Sequence, residues 1–295
     1  MSEIHKVGVL GCGLMGHGIT QVSAQAGYEV IVRDVDDAAL GRGIAKIGQQ
    51  LDRAVQRGRS SQEDADAARA RIEGTTDSEA LAGCDLVIEA ITENLERKLE
   101  LWSEVDRIAK PSAIFATNTS SLPVIAQAAR TSRPDRFLGL HFFNPPQVMR
   151  LLEVIRCVTT SEETVNAGLQ FGRSLGKLTV QTKDNAGFIV NRLLVPYTLD
   201  AIRAFEEGVG SIAEIDTAMK AGAAHPMGPL TLADFVGLDT LGSICEAMFE
   251  EFRERRFAQP PTLRKMLAAG WYGAKSGMGF YDYSGTEPVV NPGLA

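Results

Sequence analysis

Through the first half of the chain, short apolar runs alternate with longer stretches whose apolar positions recur every three or four residues. Residues 6–10, 29–33, 86–89 and 113–116 are such runs, rich in valine and isoleucine. Continuous apolarity is what a strand needs when both of its faces are covered, as in a parallel sheet. Residues 15–26, 37–56 and 94–109 lie between them with helical periodicity. Strand and helix in alternation predict a doubly wound α/β domain on a mostly parallel sheet. Residues 137–141, 151–156 and 178–182 predict further strands. The stretch 48–75 is polar and rich in arginine and aspartate; it reads as part of a helical excursion, at about 37–73, projecting between the second and third strands.

Beyond residue 183 the pattern changes. Residues 188–207, 212–221 and 230–252 carry helical periodicity with no strand candidate between them. A second, all-helical domain is therefore expected over 184–295, after a first domain over 1–183. At 295 residues the chain exceeds the size at which a single core keeps growing, which agrees with two domains. A formal net charge of -7 argues against nucleic acid as a partner. No stretch reaches membrane-spanning length, and the amino terminus runs straight into a strand pattern with no signal-like segment. The four cysteines, Cys12, Cys84, Cys157 and Cys245, are scattered without metal-ligand spacing. They read as reduced thiols of a cytoplasmic protein that needs no metal.

Gly11-Cys12-Gly13-Leu14-Met15-Gly16 follows the first strand and opens the first helix, the context that makes a glycine motif a dinucleotide fingerprint. The first glycine permits a tight turn, the second lets a pyrophosphate approach the backbone, and the third lets the helix pack on the strand. Phosphate then meets the N–H groups and positive dipole end of the helix. The domain is thus expected to be of Rossmann type. Asp34, closing the second strand, is placed to accept from the adenosine ribose hydroxyls and to repel a 2′-phosphate, so the expected cofactor is NAD, although Arg33 beside it pulls the other way.

His141 ends an apolar run and Glu153 lies within the next one. A carboxylate that accepts from one imidazole nitrogen fixes the tautomer and raises the basicity of the other, making a proton acceptor near neutral pH. A core histidine satisfied by its surroundings reads equally well from these residues alone. Asn118-Thr119-Ser120-Ser121 follows the fourth strand, at the edge where ligands of an open α/β sheet collect, though serine and asparagine there also cap helices. Asn191 is one polar residue in an aliphatic helical pattern, as a helix–helix hydrogen bond would require. Arg42, Lys46, Arg53 and Arg57 share a face of the helix after the second strand, fit either for a phosphate-bearing ligand or for water.

The fingerprint, Glu93-Asn94-Leu95, Asn118-Thr119-Ser120-Ser121, His141-Phe142-Phe143-Asn144-Pro145, Gly187-Phe188-Ile189-Val190-Asn191-Arg192 and Gly277-Met278-Gly279-Phe280-Tyr281 stand in one order along the chain. Together they resemble, from end to end, the short-chain L-3-hydroxyacyl-CoA and 3-hydroxybutyryl-CoA dehydrogenase family. The resemblance implies that His141 exchanges a proton with the 3-hydroxyl of an acyl-CoA while hydride passes to NAD. It implies further that Glu153 orients His141, that Ser120 and Asn191 bind the reacting oxygen and acyl group, and that the helical domain closes the site. Glu93, Lys98, Ser120, Asn144 and Lys275 match positions near the nicotinamide. The family uses basic residues of the helical excursion for coenzyme A; Gln50 and Arg57 align loosely with its binding positions there, and Arg53 and Arg57 are the expected contacts. The family is commonly dimeric through the second domain, so a homodimer is implied. Two alternatives stay open: a dehydrogenase of a free hydroxy acid or sugar acid, and a non-catalytic NAD-binding protein, whose signature would be a damaged site.

Overall fold

A computed structural model describes residues 4–294. They fall into two units that divide between Asn185 and Ala186. The first is built on an eight-stranded sheet. Its strands in chain order are β1 (Lys6–Leu10), β2 (Glu29–Arg33), β3 (Ile72–Thr75), β4 (Leu86–Glu89), β5 (Ile114–Thr117), β6 (Phe137–Phe142), β7 (Leu151–Arg156) and β8 (Leu178–Lys183). In space the order is β3-β2-β1-β4-β5-β6-β7-β8. Every neighbouring pair is parallel except β6 with β7, so the last two strands run against the other six. The expected α/β class and mostly parallel sheet hold.

The apolar runs form the centre of this sheet because helices cover both of its faces. Val7, Val9, Val30, Val32, Leu86 and Ile88 are buried in one core with Ile19 and Val22 of α1 (Gly16–Gln25) and Ile47 and Leu51 of α2 (Asp37–Gln56). On α4 (Leu95–Ile108), Trp102 stacks on Phe115 and meets Phe137 edge-on, with ring centroids at 5.0 and 4.9 Å. Its indole N–H donates to Gln127 Oε1 at 3.0 Å, which satisfies the one polar atom of a fully buried ring.

The polar stretch after β2 departs from the expectation in one respect. α2 and α3 (Gln62–Ala70) are helical, but Ile72–Thr75 is β3, an edge strand hydrogen-bonded to β2. An edge strand has one neighbour and need not be apolar on both faces, so Ile72-Glu73-Gly74-Thr75 leaves no continuous run to read. α5 (Val124–Ala128) and α6 (Glu162–Ser174) complete the first unit.

The second unit holds α7 (Val190–Glu206), α8 (Ile212–Gly222), α9 (Pro229–Val236), α10 (Leu238–Phe252) and α11 (Pro261–Ala268). To these is added a two-residue antiparallel ladder of β9 (Tyr281–Asp282) with β10 (Val289–Val290). Leu199, Ile202, Leu230, Leu241, Met248, Phe257 and Phe280 form its core. The single helix expected over 230–252 is two helices, because Gly237 sits at φ +96°, a backbone region that ends a right-handed helix. Buried Asp216 accepts from the N–H groups of Leu230 and Thr231 at 2.8 and 2.9 Å, capping α9, and from the Tyr281 hydroxyl at 2.9 Å. Buried Asp234 accepts from Phe280 N and Tyr281 N, both at 2.9 Å. Burial, with Asp216 nearby, pushes the Asp234 carboxyl up to about 6 despite those donors. No helix among the described residues is long and apolar enough to cross a membrane.

Candidate active site

The turn from β1 into α1 is shaped by its glycines. Gly11 has φ +94°, and a side chain there would press on the Ala90 carbonyl. A Cβ on Gly16 would lie 1.7 Å from the Gly11 carbonyl oxygen, so only glycine allows the helix so close. Gly13 has nothing within 4 Å of its Cβ position. The loop is thus crowded behind and open in front, which fits a pyrophosphate approaching backbone at the α1 terminus. Asp34 accepts from the N–H groups of Cys12 and Val35, both at 2.7 Å, which ties the end of β2 to the glycine loop. A carboxylate has lone pairs left for ribose hydroxyls after two such bonds.

Beside the loop lies a buried charge cluster. Lys98 on α4 is 0% exposed, so it is not a surface charge; its ammonium binds Glu89 at 2.7 Å and Glu93 at 3.2 Å. Glu89 closes β4 and also accepts from Ile91 N at 2.7 Å and from the Thr117 hydroxyl at 2.6 Å. Glu93 accepts from the Thr119 hydroxyl and from Ser120 N at 2.9 Å. Burial works to raise the Glu93 carboxyl, but Lys98 and these donors outweigh it and hold it below the usual carboxylate range. The loop after β5 is thereby pinned through its own backbone. Sequence reasoning misses Glu89 and Thr117, although a carboxylate ending an apolar strand is a signal that a buried partner must exist.

The reversal between β6 and β7 sets His141 directly opposite Glu153. His141 is 4% exposed and Glu153 0%, and Nδ1 stands 2.7 Å from Glu153 Oε2. An ionised carboxylate has only acceptors, so in the neutral ring the proton is on Nδ1 and Nε2 is bare. Ser120 Oγ lies 3.1 Å from Nε2. Asn118 Oδ1 accepts from Phe142 N at 2.9 Å, locking β6 to the loop that carries Ser120. Phe143 covers one side of the imidazole, with ring centroids at 4.6 Å.

Thus Ser120, His141 and Glu153 stand in one line, with Glu93 and Lys98 holding the serine loop. Asn144 is exposed in the loop beyond β6. Arg42, Lys46, Arg53 and Arg57 are exposed on one side of α2 and its C-cap. In the second unit, Asn191 lies half-buried in the first turn of α7. Lys275 pairs with Asp239 at 2.5 Å. The four cysteines are buried and free; burial pushes the Cys12 and Cys245 thiols up to about 12 and Cys84 to about 11, so these three stay protonated near neutral pH. No group of acidic, histidine or cysteine side chains suited to a metal ion occurs among the described residues.

A dinucleotide loop beside a histidine–carboxylate pair at the carboxyl edge of an open sheet defines a nicotinamide-dependent dehydrogenase of the doubly wound class. Residues 6–185 match the family model described as the NAD-binding domain of 3-hydroxyacyl-CoA dehydrogenase, and residues 187–283 match the C-terminal domain of the same family. The chain belongs to the 3-hydroxyacyl-CoA dehydrogenase family. It is 46% identical over 282 residues to a 3-hydroxybutyryl-CoA dehydrogenase of Mycobacterium tuberculosis, covering 95% of this chain and 99% of that one. To the mitochondrial hydroxyacyl-coenzyme A dehydrogenase of Homo sapiens it is 44% identical over 287 residues, 95% of this chain and 91% of that one. Among solved structures it superposes on (S)-3-hydroxybutyryl-CoA dehydrogenase PaaH1 of Ralstonia eutropha with TM-score 0.93 at 42% identity, covering 96% and 100% of the two chains. The cofactor is NAD.

The Asp34 assignment has a direct test. Asp34→Ala should raise KM for NAD by roughly ten- to a hundredfold, the worth of one or two charge-assisted hydrogen bonds, and should narrow the preference over NADP. Steady-state kinetics with both cofactors measures this, and unchanged selectivity would remove Asp34 from the ribose site.

Proposed function

We propose that the protein interconverts L-3-hydroxyacyl-CoA and 3-oxoacyl-CoA, with short acyl chains such as 3-hydroxybutyryl-CoA as its substrates. The observation that carries this is the line from Ser120 Oγ through His141 to Glu153, in a chain of this family. NAD, when bound, would supply the hydride acceptor, and would be held by the Gly11–Gly16 loop with Leu14 and Met15, by Asp34, and at the nicotinamide end by Glu93, Ser120, Asn144 and Lys275, with buried Lys98 acting through Glu93.

In the oxidative direction the bare Nε2 of His141 takes the proton of the 3-hydroxyl as the C3–H bond gives up its electron pair, and C3 becomes a carbonyl. The imidazolium so formed is stabilised by Glu153, which keeps the ring in place and meets its new charge at once. The Ser120 hydroxyl donates to the reacting oxygen, and Asn191 binds the same oxygen or the acyl carbonyl. In the reverse direction His141 returns the proton. Because Lys98 and Glu93 hold the Ser120 backbone, the donor is oriented before substrate arrives and costs little reorganisation. The presence of Ser120, His141, Glu153 and Asn191 together argues against a protein that kept the fold and lost turnover.

Removal of the base should lower kcat of His141→Ala by roughly two to four orders of magnitude with NAD affinity near normal. Glu153→Gln should also shift the pH–rate profile, since it acts through the imidazole. Retained turnover in the first variant, or an unmoved profile in the second, would reduce the pair to a structural one.

Arg53 and Arg57, on the exposed stripe of α2 with Arg42 and Lys46, are proposed to bind the 3′-phosphate-ADP end of coenzyme A. NADH oxidation against 3-oxoacyl-CoA of increasing chain length, with a free 3-oxo acid as control, tests substrate class and stripe together. Activity should be highest on the short thioesters. Arg53→Ala and Arg57→Ala should each raise KM for the thioester by about fivefold at low salt, one ion pair's worth, without changing rates on a free acid. Preference for the free acid would make this a hydroxy-acid dehydrogenase on the same scaffold.

We also propose a cytoplasmic homodimer joined through the second unit, where Leu193, Phe235 and Val236 are exposed apolar side chains that a second copy would cover. Light scattering should return twice the chain mass, and a monomer mass would reject this.

A further inference from the structure

His17 is the second residue of α1, just behind the glycine loop, and is 3% exposed. Its Nδ1 lies 2.6 Å from the carbonyl oxygen of Gly13. That oxygen can only accept, so Nδ1 carries the proton and, in the neutral ring, Nε2 is an acceptor. Facing Nε2 at 3.3 Å is the side-chain amide nitrogen of Gln50 on α2. Gln50 Oε1 in turn accepts from Gln147 Nε2 at 2.6 Å. Gln147 sits in the loop that joins β6 to β7, between His141 and Glu153. Every proton in this series points the same way: Gln147 to Gln50, Gln50 to His17, His17 to the Gly13 carbonyl.

The loop bearing Gln147 is held from two further sides. The buried Lys177 ammonium donates to the carbonyl oxygens of Pro146 and, at 2.8 Å, Met149. Gly18 packs against the same loop, where a Cβ would meet Gln147 Oε1 and Pro146 at 2.8 Å. None of these contacts is explained by the chemistry of the His141–Glu153 pair. A buried histidine and two amides whose hydrogen bonds run in one direction are costly to assemble for packing alone, since each unpaired polar atom left by a misfit is penalised.

We infer that His17, Gln50 and Gln147 form a one-way hydrogen-bond strap that fixes the phosphate loop against the hairpin bearing His141 and Glu153. His17 and Gln147 are therefore positioning residues for the reaction. The strap sets the cofactor seat and the proton acceptor relative to each other, although neither residue touches the reacting atoms. This rests on the proposed roles of the Gly11–Gly16 loop and His141.

The strap works only with a neutral ring. A proton on Nε2 would face the Gln50 amide nitrogen, donor against donor, unless both glutamines turned over. Burial of His17, with the Lys46 ammonium on α2 adding to it, outweighs the Gly13 hydrogen bond and lowers its pKa, which favours the neutral ring. Gln147 Oε1 is buried without a hydrogen-bond partner, and turning both glutamines over would leave an amide nitrogen unpaired there instead, so neither orientation gains a bond at that end and the direction is set at His17.

Gln147→Glu separates this inference from a packing role. A carboxylate at 147 must be met by a donor, which turns the Gln50 amide so that its oxygen faces His17, and His17 must then donate from both nitrogens. Nitrogen NMR of the imidazole should show His17 neutral with the proton on Nδ1 in the native enzyme, and doubly protonated near neutral pH in Gln147→Glu. An unchanged neutral His17 overturns the strap. As a second arm, Gln147→Leu should raise the Kd for NADH and lower kcat, each by about three- to tenfold, with little change in thermal midpoint. The double variant His17→Leu, Gln147→Leu should be no worse than the more damaged single. Additive losses, or a changed thermal midpoint with Kd and kcat unmoved, also overturn it. Failure of the proposed base would appear elsewhere, as turnover surviving in His141→Ala while the His17 signal still responds to residue 147.

Discussion

A carboxylate enclosed by protein and deprived of water must find a donor, and at Glu153 the donor is the His141 ring, 2.7 Å away. The rest of the site is arranged around that pairing. It determines which imidazole nitrogen is bare, hence where a hydroxyl proton can go, hence why the Ser120 hydroxyl lies on that side. The pairing exists because β7 runs against β6 and brings the two residues face to face. Continued parallel order would have required a crossover between them. The same demand recurs at Glu89 and Glu93, where Lys98 supplies the donor and the loops after β4 and β5 are locked together at the same edge of the sheet.

The parts of this fold that were legible in the sequence are those under a single strong constraint. β1, β2, β4 and β5 are covered on both faces and therefore read as uninterrupted apolar runs. The glycine loop was legible because each of its glycines answers a different steric demand. β3 was not, since an edge strand escapes the requirement for apolar residues on both sides. The break at Gly237 was hidden inside a pattern that is helical on either side of it. α6 has a legible start in Ser161 with Glu162 and Glu163, an N-cap followed by acidic residues in the first turn, but lies outside the helical stretches the periodicity predicts.

The site was legible to a different depth. His141 and Glu153 were found as a pair because both lie in apolar runs, where an ionisable group requires explanation. Neither run discloses that they are opposite one another in an antiparallel ladder, which is a property of the sheet. Lys98 was reached through resemblance only; its spacing gives no hint of two carboxylates. His17 passes without notice in the sequence, as a polar residue on a helix, and its meaning depends on Gln50 and Gln147 arriving from two distant segments.

The face-to-face placement of His141 and Glu153 has a consequence for how this protein tolerates change. Successive side chains along a strand alternate between faces, so the pairing depends on parity. Residues gained or lost in the loop between the two strands leave the register of the ladder as it is, so the imidazole keeps its carboxylate even where the contacts of Gln147 are lost. One residue gained or lost within β7 ahead of Glu153 turns the carboxylate to the opposite face of the sheet and puts an aliphatic neighbour against the ring. The pairing survives insertions in the loop between the strands and is lost to a single-residue slip within the strand that bears Glu153.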